Sequence, residues 1–226
     1  MADKRAIMTE TLDLLAKGFQ KSRGITDKLT TKQMIAFAEE PVASGENKLP
    51  QLIDGTITEI TAADLQGATQ IRSYAFNQCP LTSIVLTNEI QDIGQSALSY
   101  TNIQSLIIPN SVNMIGYGCC QGCSLLSYAE INASILDSYA FYQTPALTNV
   151  VIGENISNIK TYSLHCGSTN NNATFTFLGT TPPTITTNIF NKNYLNKIIV
   201  PAGYGEVYKT ATNWANFADY IEEATV

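Results

Sequence analysis

Three cysteines crowd one short stretch of this chain: Cys119, Cys120 and, two residues on, Cys123. A C-x-x-C pair is the spacing of thiol–disulfide exchange and half of many zinc sites. Zinc wants four ligands, and no second C-x-x-C or histidine pair supplies the rest. Five cysteines, an odd number, also fit no closed disulfide framework. The one histidine, His165, stands beside Cys166. Neighbours on an extended chain point to opposite sides, which is poor geometry for a nucleophile and its base. His165 reads instead as a solvated loop residue before Gly167-Ser-Thr-Asn-Asn-Asn. There is no G-x-S-x-G, H-E-x-x-H or phosphate-binding loop. These residues predict no catalytic group, no metal ligand and no cofactor.

What positions the cysteines is a repeat. One apolar phrase recurs as Leu81-Thr-Ser-Ile84-Val-Leu86, Ile103-Gln-Ser-Leu106-Ile-Ile108, Leu126-Ser-Tyr-Ala129-Glu-Ile131, Leu147-Thr-Asn-Val150-Val-Ile152 and Leu195-Asn-Lys-Ile198-Ile-Val200. A degenerate copy, Asn172-Ala-Thr-Phe175-Thr-Phe177, fills the gap, so the starts lie 22, 23, 21, 25 and 23 residues apart. L-x-x-L-x-L at a period of 20–29 is the signature of a leucine-rich-repeat solenoid. Residues alternate faces along a strand. Ile84, Leu106, Val150 and Ile198 are therefore expected inside, with Ser83, Ser105 and Asn149 outside. A second phrase follows each first one: Ile71…Ala75-Phe76, Ile93…Ala97-Leu98, Ile115…Cys119-Cys120, Leu136…Ala140-Phe141, Ile159…Ser163-Leu164 and a worn Ile189-Phe190. Cys119 and Cys120 fill its small and bulky slots. Cys123 lies eight residues after Ile115, as Cys79 lies eight after Ile71. In this phase the cysteines are small buried hydrophobes. The expectation is an α/β solenoid: a leucine-rich-repeat coil with one parallel β-sheet over residues 50–202, N-terminal helices, and a C-terminal capping helix within 203–226. Trp214, Phe217 and Ile221 sit at helix-like spacing there, suited to shielding the open end of the core.

Charge narrows the partners. Only 14% of residues are charged, against a usual ~25%. The net charge of −6 is uneven: residues 1–40 hold seven Lys+Arg against six Asp+Glu, and residues 41–226 hold six against 13. An acidic repeat body repels phosphate backbones, which argues against nucleic acid. No apolar run approaches the ~18 residues of a membrane span. No 7–15-residue apolar stretch follows Met-Ala-Asp-Lys-Arg, so no secretory signal is expected.

Residues 1–49 read as a helical module and linker. Ile7, Leu14, Leu15 and Phe19 make one helical stripe. Ser22-Arg-Gly24 turns the chain, and Thr31 caps a second helix through Met34, Ile35 and Ala38. Pro41 to Pro50 forms the linker. The words Leu14-Leu-Ala-Lys-Gly-Phe-Gln-Lys-Ser-Arg-Gly24 and Ile25-Thr-Asp27-Lys28-Leu29 through Gln33-Met34-Ile35 resemble a short module that opens tail-associated proteins of bacterial phages and prophages, with Arg-Gly in place of Thr-Gly. The words Ile-Gly-x-x-Ala-Phe-x-x-Cys, Ile107-Ile-Pro-Asn-Ser-Val112 and Val200-Pro-Ala-Gly…Tyr208-Lys…Trp214…Ile221 resemble BspA-like leucine-rich-repeat proteins over roughly residues 55–226. That resemblance implies a solenoid used as an adhesin or protein-binding surface.

The outward position between the two inward strand residues holds Val85, Ile107, Glu130, Val151, Thr176 and Ile199. Four of these six are apolar and β-branched. Such residues suit strands anywhere, but an aligned apolar row facing water marks a contact surface. Tyr128 flanks Glu130 as a candidate anchor, since tyrosine is enriched at interfaces. The reading is a non-enzymatic binding protein. It would be a phage or prophage tail-associated component, attached to the tail assembly through residues 1–40, made in the cytoplasm and carried in the particle. Its repeats would meet a protein, a cell-surface ligand or a second copy of the chain. The alternatives are a surface or secreted BspA-type adhesin, and an enzyme acting through a groove carboxylate or the Cys119–Cys123 cluster.

Overall fold

The computed structural model describes residues 51–52, 55–168 and 172–225. The expected N-terminal helices and the linker therefore lie outside the described residues.

The repeats wind into a parallel coil. The four-residue phrases become strands β5 (Ser105–Ile108), β7 (Tyr128–Ile131) and β9 (Asn149–Ile152), continued by β11 (Ala173–Phe177) and β13 (Leu195–Val200). They stack in chain order as one parallel ladder. β1 (Glu59–Ile60) and β3 (Ser83–Ile84) form a parallel pair of their own, with β3 beside β5. Along β5 burial alternates strictly, Ser105 out, Leu106 in, Ile107 out, Ile108 in. Ile84, Leu106, Val150 and Ile198 are buried, as the repeat requires. Ser105 and Asn149 are exposed, while Ser83 is half-buried.

The coil carries two long parallel ladders where one sheet was expected. The second joins two-residue strands: β2 (Gln70–Ile71), β4 (Asp92–Ile93), β6 (Met114–Ile115), β8 (Ile135–Leu136), β10 (Asn158–Ile159) and β12 (Thr184–Ile185). Each inward residue faces its equivalent one coil away, as Ile93 faces Ile115. Two residues leave no period-2 pattern to read, so only the repeat of the apolar position signalled this wall. Its tightness is visible at Gly116, where a Cβ would stand 2.7 Å from the Gln95 backbone nitrogen and 2.7 Å from the Gly94 carbonyl carbon. Backbone atoms cannot swing aside, so the Ile-Gly words mark where neighbouring coils touch.

A third wall is made of turns. Tyr74, Ser96, Gly118, Tyr139 and Tyr162 share one column, with φ of 65°, 52°, 59°, 62° and 57°. The left-handed region costs a side-chain-bearing residue about 1–2 kcal/mol. The column repays this with hydrogen bonds between coils. Tyr74 N donates to Gln95 O (2.8 Å), Ser96 N to Tyr117 O (2.9 Å), Gly118 N to Ser138 O (3.0 Å) and Tyr139 N to Thr161 O (3.0 Å). Behind it the bulky slot is filled by Phe76, Leu98, Cys120, Phe141, Leu164 and Phe190, all buried.

The C-terminal cap is more varied than one helix. α1 (Gly205–Thr210) is followed by a 3-10 turn over Trp214–Tyr220 and by strand β14 (Ile221–Glu223). Trp214, Phe217 and Ile221 are all buried, but Ile221 stands on the strand. There it pairs with Ile198 of β13. The reason is the open edge of β13: a last parallel strand satisfies backbone groups that a helix would leave bare. Glu223 locks the arrangement by accepting from Gly203 N and Gly205 N, both at 2.8 Å. Those two backbone hydrogen bonds hold its carboxyl below the usual glutamate range.

Candidate binding face

The outward row is assembled by strand register. Ile107 is paired with Glu130, Glu130 with Val151, Val151 with Thr176 and Thr176 with Ile199. Val85 follows the inward Ile84 in the same phase one coil earlier. Val85 and Ile107 are the most open, 54% and 57% exposed. Val151, Thr176, Ile199 and Glu130 are half-buried among their neighbours. The face is thus most apolar at its N-terminal end and has a carboxylate at its centre. Glu130 is held from both sides: Tyr128 OH donates to one oxygen (3.3 Å) and Asn132 Nδ2 to the other (3.0 Å). Tyr128 therefore lies on this face as a partner of Glu130, and the negative charge beside it, after burial, raises its phenol pKa.

The loops that leave the strands deepen this face into a groove of 830 Å³. Val85 and Ile107 form part of its floor, and Asn88, Asn110, Asn132 and Asn155 stand among its lining residues. Leu178, which is 51% exposed, also lines it. The outward-row rule missed Leu178 and the asparagines because they follow the strands, where alternation has ended. The signal for the asparagines was their recurrence within three residues of four of the apolar phrases, as Asn88, Asn110, Asn132 and Asn155.

The cysteine cluster is core. Cys79, Cys119, Cys120, Cys123 and Cys166 are all buried. Cys123 Sγ donates to Leu98 O at 3.1 Å and lies 3.3 Å from Thr101 Oγ1. Thr101 and Thr144 hold the same turn position one coil away on either side of Cys123, each donating to a carbonyl three residues back. A small side chain with one donor is what this column needs. Hydrogen bonding with the Cys119 and Cys123 sulfurs, together with burial, pushes the Cys120 thiol well above its ordinary range. Burial pushes Cys166 up to about 12. Hydrogen bonding to Cys120, then to Thr101, lowers the Cys123 thiol against the opposing effect of burial, but all three clustered sulfurs are sealed from solvent, and a buried structural thiol is inert. Among the described residues no group of three or more His, Cys, Asp or Glu is arranged to hold a metal ion. His165 is not the solvated loop residue expected: it is half-buried, with its ring 5.6 Å from Tyr142 and 5.3 Å from Tyr162. The tyrosines one coil away and three residues back pack against it, contacts that no local reading of the sequence reveals. Among the described residues no helix is long and apolar enough to cross a membrane.

A stacked parallel coil with this strand phrase is a leucine-rich-repeat solenoid. The family described as BspA type leucine rich repeat region, in six copies, matches residues 55–171 and 129–216. The chain belongs to that family. Among solved structures it is similar to a leucine-rich repeat protein from Bacteroides ovatus ATCC 8483, at 20% identity and a TM-score of 0.41, over 76% of this chain and 55% of that one. It is also similar to a leucine rich cell surface protein from Faecalibacterium prausnitzii A2-165, at 15% identity and a TM-score of 0.36, over 75% of this chain and 60% of that one. The chain thus spans little more than half the length of these two proteins. No curated protein sequence matches it.

Proposed function

We propose that this chain is a non-enzymatic adhesion module that grips a protein or cell-surface ligand with the open face of its long ladder. The observation that carries the reading is the register. It aligns Val85, Ile107, Val151 and Ile199 on one face, with the first two more than half exposed at the floor of a groove. An apolar row interrupted by Glu130 and Thr176, with asparagines beside its most exposed end, has the make-up of a contact site, apolar contacts set among polar groups. Solenoids are built for this use, since stacking yields a long regular face rather than an enclosed pocket.

The finer reading is a phage or prophage tail-associated component. Residues 1–40 would attach the module to the tail assembly, and the repeats would meet the host surface. Its support is the resemblance of residues 14–35 to the module that opens tail-associated proteins. The second reading, a bacterial surface or secreted adhesin, is favoured by the repeat family itself. Tail genes beside the coding sequence would support the first, and an upstream in-frame start encoding a secretory leader would support the second.

The double substitution Ile107→Asp and Val151→Asp tests the face. It should keep the fold, because both side chains point away from the core, and lower the melting temperature by only a few degrees through repulsion with Glu130, which lies between them. Two charges on an apolar contact should weaken binding about tenfold or more. Fluorescently labelled full-length protein, titrated onto a panel of intact bacterial cells, gives the readout. Saturable binding that the double variant retains in full would refute the assignment.

A further inference from the structure

The turn wall carries a feature that neither the core nor the open face uses. Tyr117, Tyr139, Tyr142, Tyr162 and His165 form one continuous aromatic surface across three coils. Tyr117 and Tyr139 have ring centroids 5.3 Å apart and are tilted 45°. Tyr139 and Tyr162 are 5.2 Å apart and tilted 37°. Tyr142 and His165 continue the row beside them at 5.6 Å and 36°. From coil to coil these rings are tilted, while within a coil Tyr142 meets Tyr139 edge-on at 79° and His165 meets Tyr162 edge-on at 77°, so the cluster is a stepped platform that presents both ring faces and ring edges. Tyr117 is 44% exposed, and the others are half-buried against one another. Among the described residues none of the four phenol oxygens has a hydrogen-bond partner.

The backbone adds a second observation. Tyr139 and Tyr162 hold the left-handed turn position that Gly118 holds one coil earlier. Glycine meets that conformation without strain, so the turn itself gives no reason for tyrosine. Bulky side chains kept in a disfavoured conformation point to a use for the side chain.

We propose that this platform is a binding site for a neutral carbohydrate chain. The apolar faces of sugar rings pack on the aromatic faces while the unpartnered phenols exchange hydrogen bonds with sugar hydroxyls. Charge decides against charged ligands. Asp137 and Lys160 neutralise each other at 3.2 Å. Burial holds His165 below the ordinary imidazole range, so it is neutral near pH 7. The acidic body, six Lys+Arg against 13 Asp+Glu in residues 41–226, repels acidic polysaccharides.

The test is gel retardation of the full-length protein in native gels containing mannan, dextran, galactomannan or xyloglucan, with alginate as the charged control. Wild type should be retarded by at least one neutral polysaccharide and not by alginate. Tyr139→Gly with Tyr162→Gly should abolish the retardation while keeping the fold, because glycine suits both turns, and a thermal melt checks this. Tyr142→Ala, which leaves the left-handed positions alone, should weaken it about tenfold. Ile107→Asp with Val151→Asp should leave it intact, which separates this site from the open face. No retardation by any neutral polysaccharide would overturn the proposal. So would retardation that both tyrosine variants retain. Loss of a protein ligand, and not of a polysaccharide, through these tyrosines would make the platform a protein contact instead.

Discussion

Trp214→Ala is expected to lower the unfolding free energy by about 3–5 kcal/mol, the usual cost of emptying a buried aromatic site. Trp214 is fully buried, and its Nε1 donates to Pro183 O at 2.9 Å. Phe177 and Tyr208 meet it edge-on at 5.1 and 5.0 Å. Removing the indole leaves a void under the last coil and strips the Pro183 carbonyl of its partner. For a chain of this size the melting temperature should fall by about 2–4 °C per kcal/mol. Coils in a solenoid contact only their neighbours, so the loss should begin at the end. Hydrogen exchange should quicken first in β13 and β14. An unchanged melting temperature would mean that the cap does not seal the core.

Neighbouring residues on β5 should respond in opposite ways. Leu106 is 1% exposed and Ile107 is 57% exposed. Leu106→Asp places an unpaired carboxylate among the stacked coils and should cost about 4 kcal/mol or more, a large share of the roughly 5–15 kcal/mol that holds a typical domain folded. Ile107→Asp, exposed but opposite Glu130, should cost no more than about 1 kcal/mol. Urea denaturation followed by circular dichroism measures both. Equal losses at the two positions would show that the alternation along β5 is misread and, with it, the face assigned to the ligand.

The long ladder was legible because each strand repeats three constraints at once: an inward pair, an outward residue and a fixed period. Val150 and Ile198 follow from the phrase, and so do the burial of Cys119 and Cys120 and the alignment of Ile107 with Glu130. The second ladder was not legible as a sheet, because two residues such as Asp92 and Ile93 carry no alternation. The cap was legible as a plug and not as a strand. Trp214, Phe217 and Ile221 are spaced like a helix face, and only the open edge of β13 makes Ile221 extend. The groove and the aromatic platform were partly hidden. Leu178 lies past the strand pattern, and Tyr142 and His165 come together only because residues 23 apart in sequence stack one coil apart.

The open face itself can be probed through its chemistry. All five native cysteines are buried, so a cysteine introduced at the surface of the folded protein is the one thiol a maleimide reaches readily. A photoreactive benzophenone-maleimide can then be placed at Ile107→Cys or Val151→Cys on the ladder, or at Ala215→Cys on the exposed side of the cap. The labelled proteins are bound to intact bacterial cells, irradiated, and the protease-sensitive adducts compared. Adducts from positions 107 and 151, several-fold above those from position 215, are the result this account predicts. Equal yields at all three positions, or adducts from position 215 alone, would contradict it.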